Sequence, residues 1–427
     1  MEAIVILVGG KGSRVKSLLK GKSKPEIEII SKKKIIDFQL EKLSKLNKKI
    51  FFLSNIKYKN LKKYISDNYK KKINFEFIEE KKSLGTAGCL SSLLHKKYNN
   101  FIILDGDLIF NIDFIKFLKF HKKKRSDCTL FVHPNNHPYD SDAIEIDDNS
   151  KVINLFNKTR LNKPNLCLSG LKIIKKEVLK NIYKNKYQDF TKDLLKKILK
   201  QKKKVFAYNS REYIKDVGTI DRIKQARKDI NTNKFKFGNY NKKRPAIFLD
   251  KDGVIVKLKK NNHYQNNKNI YNKSFKALSK INNSEFLCVM ITNQPAVAKG
   301  IISVNNLKKD LQKLEVTFGL KNLYFDRVYF CPHHPKKGFK GENKKYKINC
   351  NCRKPKNGMF LKAIKELNID KYNSFMIGDS LSDYYASKKT NIKFVKVGNE
   401  KFEIKKKITN KKDILAAVNY IINYKKT

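Results

Sequence analysis

The chain has 427 residues, too many for one ordinary hydrophobic core, and 40% of them are hydrophobic, which excludes a disordered chain and implies two or three folded domains. Lys and Arg number 96 against 39 Asp and Glu, a formal charge of +57 that by itself points to nucleic acid or an anionic membrane surface. Only nine of the 96 are Arg, and the lysines are spread along the chain among many Asn and Ile residues, so the charge reads as compositional drift rather than the patch or Arg-based readout of a nucleic-acid binder.

Short apolar runs alternate with Lys-rich amphipathic stretches: Ala3 to Val8, Ile50 to Ser54, Phe101 to Leu104, Thr129 to His133, Ala246 to Leu249, Phe286 to Ile291 and Ser374 to Ile377. Strands of this kind separated by helices imply parallel α/β layers. The opening run starts on an acid, Glu2, and passes directly into a glycine loop, so it reads as a strand and not a signal peptide. With no run of about 18 apolar residues, membrane insertion is not expected. Of seven cysteines, Cys89, Cys128, Cys167 and Cys288 sit in apolar or small-residue surroundings and read as reduced buried thiols, which fits a cytoplasmic protein.

The first strand runs into Gly9-Gly10-Lys11-Gly12-Ser13-Arg14, with Lys24-Pro25 following. A glycine-rich turn before a helix offers backbone N–H groups to phosphate, and Arg14 and Lys24 add charge for a triphosphate. The spacing does not match a GxxxxGK[ST] P-loop. Further on stand Leu84-Gly85-Thr86-Ala87-Gly88, Asp105-Gly106-Asp107 after an apolar strand, and Asp216-Val217-Gly218-Thr219. In this order the segments resemble those of the sugar-1-phosphate nucleotidyltransferases. The resemblance implies that Gly9, Gly10, Gly12, Ser13 and Arg14 hold the triphosphate and that Gly85, Thr86 and Gly88 lie by the base. It also implies that Asp107 and Asp216 bind Mg2+ and that Lys24 stabilises the α-phosphate under attack. Cys167-Leu168-Ser169-Gly170 loosely matches the segment that touches sugar in that family. The polar excursion His133-Pro134-Asn135-Asn136-His137-Pro138-Tyr139-Asp140 either lines the sugar pocket or is a surface turn.

An Asn- and Lys-rich stretch, 231–243, ends just before Pro245 and a fresh strand, and reads as a linker between domains at 1–230 and 244–427. The strand Ile247-Phe248-Leu249 delivers Asp250 and Asp252 to its carboxyl end, where α/β sheets place their ligands. The next strand ends in Thr292-Asn293, a later one in Gly378-Asp379 with Asp383 beyond, and Lys354 lies between. Carboxylates, hydroxyl, Lys and a further carboxylate in this order resemble the haloacid dehalogenase superfamily of phosphatases. The resemblance makes Asp250 the nucleophile and Asp252 the general acid/base. Thr292, Asn293 and Lys354 would be catalytic partners around the phosphoryl group, and Asp250, Asp252 (through its carbonyl) and Asp379 would hold Mg2+, with Asp383 supporting them. About forty residues separate Asp252 from Thr292, room for a loop and a helix but not a large cap.

Cys331-Pro332-His333 and, sixteen residues later, Cys350-Asn351-Cys352 offer three thiols and an imidazole, the set that closes a structural tetrahedral Zn2+ site; His334 is an alternative to His333. Arg353 directly follows and can reach a second anionic or hydroxyl group of a substrate. With Lys354-Pro355 and Gly358-Met359, this loop resembles the D-glycero-D-manno-heptose 1,7-bisphosphate 7-phosphatases, with the histidinol-phosphatases as close relatives. The expected fold is therefore α/β in two domains: a Rossmann-like nucleotidyltransferase α/β/α sandwich and a haloacid dehalogenase-like domain without a large cap. A heptose phosphatase releases the heptose 1-phosphate that a nucleotidyltransferase accepts, so the pairing implies a bifunctional enzyme. It would use sugar phosphates and an NTP, with GTP implied by the likeness of Met1-Glu2-Ala3-Ile4 and Leu84 to Gly88 to heptose 1-phosphate guanylyltransferases. The product would serve cell-surface polysaccharide synthesis. The competing class, an anionic-surface or nucleic-acid binder on inactive folds, predicts lost motif carboxylates, yet Asp107, Asp216, Asp250, Asp252 and Asp379 are all present.

Overall fold

The computed structural model describes residues 1–10, 12–19, 21–55, 58–134, 141–156, 165–258, 269–398, 402–403 and 408–424. His137 and Asp140 of the polar excursion, and Lys11 of the glycine loop, lie outside the described residues. The described residues separate into two compact units: those within 1–133, 144–155 and 167–239, and those within 134–143, 156–166 and 240–427. Among the described residues no helix is long and apolar enough to cross a membrane.

The first unit is built on a nine-stranded mixed sheet. Its centre is Glu2–Leu7, paired in parallel with Ile50–Asn55 on one side and Asn100–Asp105 on the other. Ala3, Ile4, Val5 and Ile6 are fully buried, as expected of a strand covered on both faces, where each buried Val or Ile side chain contributes about 1.5–3 kcal/mol. A separate two-stranded ladder pairs Tyr213–Asp216 antiparallel with Leu108–Asn111, with Asp216 opposite Leu108. That register carries Asp216 to the turn that holds Asp107, and Val217 N–H donates to Asp107 O at 2.9 Å. Gln39, buried on the helix Ile35–Leu43, donates to the carbonyls of Asp105 (3.1 Å) and Leu108 (2.9 Å) and so pins the same turn.

The second unit is a six-stranded sheet whose strands pair in parallel throughout, with Ala246–Leu249 inside it between Leu287–Asn293 and Phe375–Gly378. Leu249 sits opposite both Met290 and Ile377, so Asp250, Thr292 and Asp379 leave the sheet at one edge. Beyond that edge the helix Leu381–Lys388 starts from a capping box between Ser380 and Asp383. The described residues between Asp252 and Thr292 form a turn, the helix Asn272–Asn282 and the start of the next strand.

Candidate active sites

In the second unit Lys354 is the organising charge. Its ammonium is 2.8 Å from Asp250 Oδ1 and 2.6 Å from Asp383 Oδ1, donates to the Ile291 carbonyl at 3.1 Å, and is 2% exposed. Burial by itself would lower the Lys354 pKa, but the two carboxylates hold it above the ordinary lysine value. Burial pushes Asp250 up to about 8, with Lys354 opposing and Asp383 and Asp379 adding like charge. Asp250, Asp379 and Asp383 each bring a carboxylate oxygen within 4.8 Å of the others. Three carboxylates this close, two of them adding like charge beside Asp250, suit a hard divalent cation such as Mg2+, which neutralises them. Gly253 makes this approach possible: its φ is +84°, and a Cβ there would fall 1.8 Å from Asp379 Oδ2.

The Asp252 carboxylate faces elsewhere. Oδ1 accepts from Lys251 Nζ at 2.7 Å and Oδ2 from Gln294 Nε2 at 2.8 Å, and the same Gln294 nitrogen lies 2.9 Å from Thr292 Oγ1. Asn293 and the Lys354 backbone exchange two hydrogen bonds of 3.0 Å, which fixes the lysine against the strand end. Lys251 and Gln294 were missed by sequence reasoning, although each stands next to a motif residue and each supplies the polar hydrogen needed to hold Asp252.

Cys331, His333, Cys350 and Cys352 bring one donor atom each within 4.8 Å of one another. The Sγ to Sγ distances are 3.1, 3.2 and 3.5 Å, and His333 Nδ1 is 3.2 Å from Cys352 Sγ and 3.6 Å from Cys331 Sγ. A tetrahedral zinc–thiolate shell has sulfur separations of about 3.8 Å, so the set fits that ion with slight expansion. The hydrogen bond between Cys331 and Cys352 pulls the Cys352 thiol down and pushes the Cys331 thiol up, so the pair shares one proton that a bound metal would displace. His333 rather than His334 completes the cluster; His334 Nδ1 instead lies 3.3 Å from the Lys336 carbonyl. Arg353 donates to His333 O at 3.3 Å.

In the first unit a cavity of about 550 Å3 is lined by Gly9, Gly10, Lys24, Gly85, Thr86, Asp105 and Asp107 among others. Lys24 Nζ donates to Asp107 Oδ2 at 3.0 Å, and Arg222 Nη1 donates to Asp216 Oδ2. A Cβ on Gly218 would be 2.8 Å from Asp216 Oδ1, 3.4 Å from Asp107 Oδ2 and 3.4 Å from Arg14 Nη2, so the two expected metal carboxylates and Arg14 converge on one point. Gly12, Arg14 and Gly88 are not among the residues that line the cavity. Gly12 instead takes a φ of +66° before the helical turn Ser13–Val15. A Cβ on Gly88 would meet Lys186 O at 2.5 Å, so the second glycine of that segment serves packing. The wall also includes Glu80 and Tyr187, which sequence reasoning did not single out. Tyr187 is 68% exposed and its neighbour Gln188 exchanges backbone hydrogen bonds with Leu84, Ala87 and Gly88. Its position depends on contacts across about one hundred residues, invisible to local patterning.

A nine-stranded sheet with a glycine turn after its central strand, joined in one chain to a parallel sheet with carboxylates clustered at its strand ends and a four-donor Cys/His loop, defines a two-domain enzyme of nucleotidyl transfer and phosphate-ester hydrolysis. Residues 3–233, more than half of the chain, match the nucleotidyl transferase family, and residues 347–397 match the haloacid dehalogenase-like hydrolases. The D-glycero-beta-D-manno-heptose-1,7-bisphosphate 7-phosphatase of Pasteurella multocida is 38% identical over 168 residues, 39% of this chain and 89% of that protein. Its namesake in Vibrio cholerae is 38% identical over 144 residues, 34% of this chain and 75% of that protein. The chain belongs to the nucleotidyl transferase family and to the family of these heptose bisphosphate phosphatases. A crystal structure of HddC from Yersinia pseudotuberculosis is similar at 23% identity and a TM-score of 0.47, covering 54% of this chain and all of that one.

Proposed function

We propose that the second unit removes the 7-phosphate of a D-glycero-D-manno-heptose 1,7-bisphosphate and that the first transfers a nucleotidyl group from an NTP to the heptose 1-phosphate so formed. The observation that carries this reading is the Asp250, Lys354 and Asp379 constellation at the end of Ala246–Leu249, next to the four-donor loop, in a chain that also belongs to the nucleotidyl transferase family.

In the hydrolysis an Asp250 oxygen attacks phosphorus in line, the bond to the sugar oxygen breaks, and Asp252 gives that oxygen its proton. Water then attacks the aspartyl phosphate, Asp252 takes the water's proton, and Asp250 leaves as the carboxylate. Lys354, Thr292 and Asn293 surround the equatorial oxygens with positive charge and donors. Asp250, Asp379 and the Asp252 carbonyl would hold Mg2+, which supplies further positive charge at the phosphoryl group. Cys331, His333, Cys350 and Cys352 would hold Zn2+, whose task is to fix the loop that presents Arg353 and Lys354. Arg353 is assigned to the rest of the substrate.

In the transfer the sugar phosphate oxygen attacks the α-phosphorus and pyrophosphate leaves, with no covalent enzyme intermediate. Gly9 and Gly10 turn backbone toward the phosphates and Lys24 neutralises the α-phosphate. Asp107 and Asp216 would hold Mg2+, which supplies charge at that phosphate. GTP is the assigned nucleotide: Glu80, in the cavity wall with Gly85 and Thr86, offers a carboxylate to the N1–H and N2–H edge of guanine. Phosphate release from heptose 1,7-bisphosphate, lost in Asp250→Asn, tests the first step; pyrophosphate release from a panel of NTPs with heptose 1-phosphate tests the second. Absence of phosphate release from either anomer of the bisphosphate overturns the phosphatase reading.

A further inference from the structure

Asp105 is a carboxylate to which the transfer reaction above gives no task. It ends the strand Asn100–Asp105, two residues before Asp107, and forms part of the cavity wall. Its Oδ1 is buried and accepts no hydrogen bond, and the nearest cation is Lys172 Nζ at 3.6 Å. Lys172 is itself buried, with a side chain 5% exposed, one long hydrogen bond of 3.4 Å to Gly170 O, and the Phe190 ring 4.5 Å from its ammonium. Sinking an ammonium and a carboxylate this loosely bonded costs stability that an apolar pair would not. Packing alone therefore does not account for them.

The local backbone is shaped around the second oxygen. Gly170 takes a φ of +80°, and a Cβ there would fall 2.5 Å from Asp105 Oδ2. The Asp105 side chain keeps 36% of its exposure although Oδ1 is buried, so its open part faces the cavity, beside Gly9, Gly10 and Asp107. Lys172 already stands as the counter-cation of Asp105, and a carboxylate repels phosphate. What remains for an anionic acceptor at this wall is a hydroxyl donor.

We propose that Asp105 Oδ2 accepts a hydrogen bond from a substrate hydroxyl, with Lys172 as the buried counter-ion that holds the carboxylate in place. The proposal rests on the reading of the cavity as the nucleotidyl-transfer site. Two hydroxyl sources are available there, the ribose of the triphosphate and the sugar of the acceptor phosphate.

The test is calorimetric binding to the full-length chain of GTP, 2′-deoxy-GTP and 3′-deoxy-GTP, repeated with the ATP series and accompanied by the KM for heptose 1-phosphate. The comparison is wild type against Asp105→Asn and the charge-neutral pair Asp105→Ala with Lys172→Met, whose phosphatase activity and melting curve report folding. If the ribose is the donor, wild type binds one deoxynucleotide about ten-fold or more weakly, and the double variant binds ribo and deoxy forms alike. If the acceptor sugar is the donor, the ribose preference is unchanged and the KM for the sugar phosphate rises about ten-fold or more in the double variant. A folded double variant with wild-type discrimination and wild-type KM overturns the proposal. Failure of wild type to bind any of these triphosphates overturns the reading of the cavity, and the Asp105 proposal falls with it.

Discussion

Lys354 Nζ lies 2.8 Å from Asp250 Oδ1, which ties the loop that follows the thiol cluster directly to the central strand of the phosphatase sheet. The same ammonium balances Asp383 at 2.6 Å. Removing one member of a buried ionic group leaves the others uncompensated, at a cost of about 3–5 kcal/mol. Lys354→Met should therefore lower the unfolding free energy of the phosphatase unit by that amount in urea titrations and abolish phosphate release. A variant as stable as wild type would show that Lys354 is not the charge that balances this site.

Asp250→Asn should behave in the opposite sense in magnesium-free buffer. Burial raises the Asp250 pKa to about 8, so protonation favours the folded state. This contribution is fully present below about pH 4, the unfolded carboxylate value, and is lost as pH rises toward 8. The stability of wild type relative to Asp250→Asn should fall across that window, by at most about 1.4 kcal/mol per pH unit. Magnesium should flatten the difference. A difference that rises with pH contradicts the assignment.

Cys350→Ser or Cys352→Ser should cost the chain one bound zinc, read by elemental analysis, and reduce phosphate release about 10- to 100-fold, because the loop that orients Arg353 and Lys354 is no longer held. Pyrophosphate release by the other unit should stay within about two-fold, as expected for a separately folded domain. Loss of both activities together would contradict independent sites.

Much of this was legible in the sequence. Asp250, Thr292 and Asp379 could be placed at strand ends because parallel strands read as near-continuous apolar runs, and the structure brings Lys354, from the loop after the thiols, to Asp250 across about one hundred residues. The thiol and imidazole donors were legible because metal ligands have few permitted spacings. Glu80, Tyr187, Gln294 and the Asp105–Lys172 pair were not, because each acquires its role from a tertiary neighbour; Lys251 was not because its bond to the adjacent Asp252 depends on side-chain orientation that the sequence does not show. Gly88 shows the converse: its motif suggested a base contact, but the carbonyl of Lys186 occupies the space beside it.

Gly253→Ala should abolish magnesium-dependent phosphate release while leaving nucleotidyl transfer intact. The added methyl would fall 1.8 Å from Asp379 Oδ2 at a φ of +84°, so either the turn or the carboxylate must move. The apparent magnesium Kd, from metal titration, should rise at least ~10-fold, of the order expected when a ligand's support is lost. An unchanged Kd would show that Asp379 does not bind the ion from this position.

The most direct measurement supplies the full chain with each anomer of D-glycero-D-manno-heptose 1,7-bisphosphate, GTP and magnesium, and follows phosphate, pyrophosphate and the nucleotide sugar together by mass spectrometry and phosphorus NMR. The account predicts phosphate first, then equal amounts of pyrophosphate and GDP-heptose. Asp250→Asn should block the sequence at the bisphosphate and Asp107→Asn at heptose 1-phosphate. Phosphate release with no nucleotide sugar from any NTP, or neither product from either anomer, would contradict it.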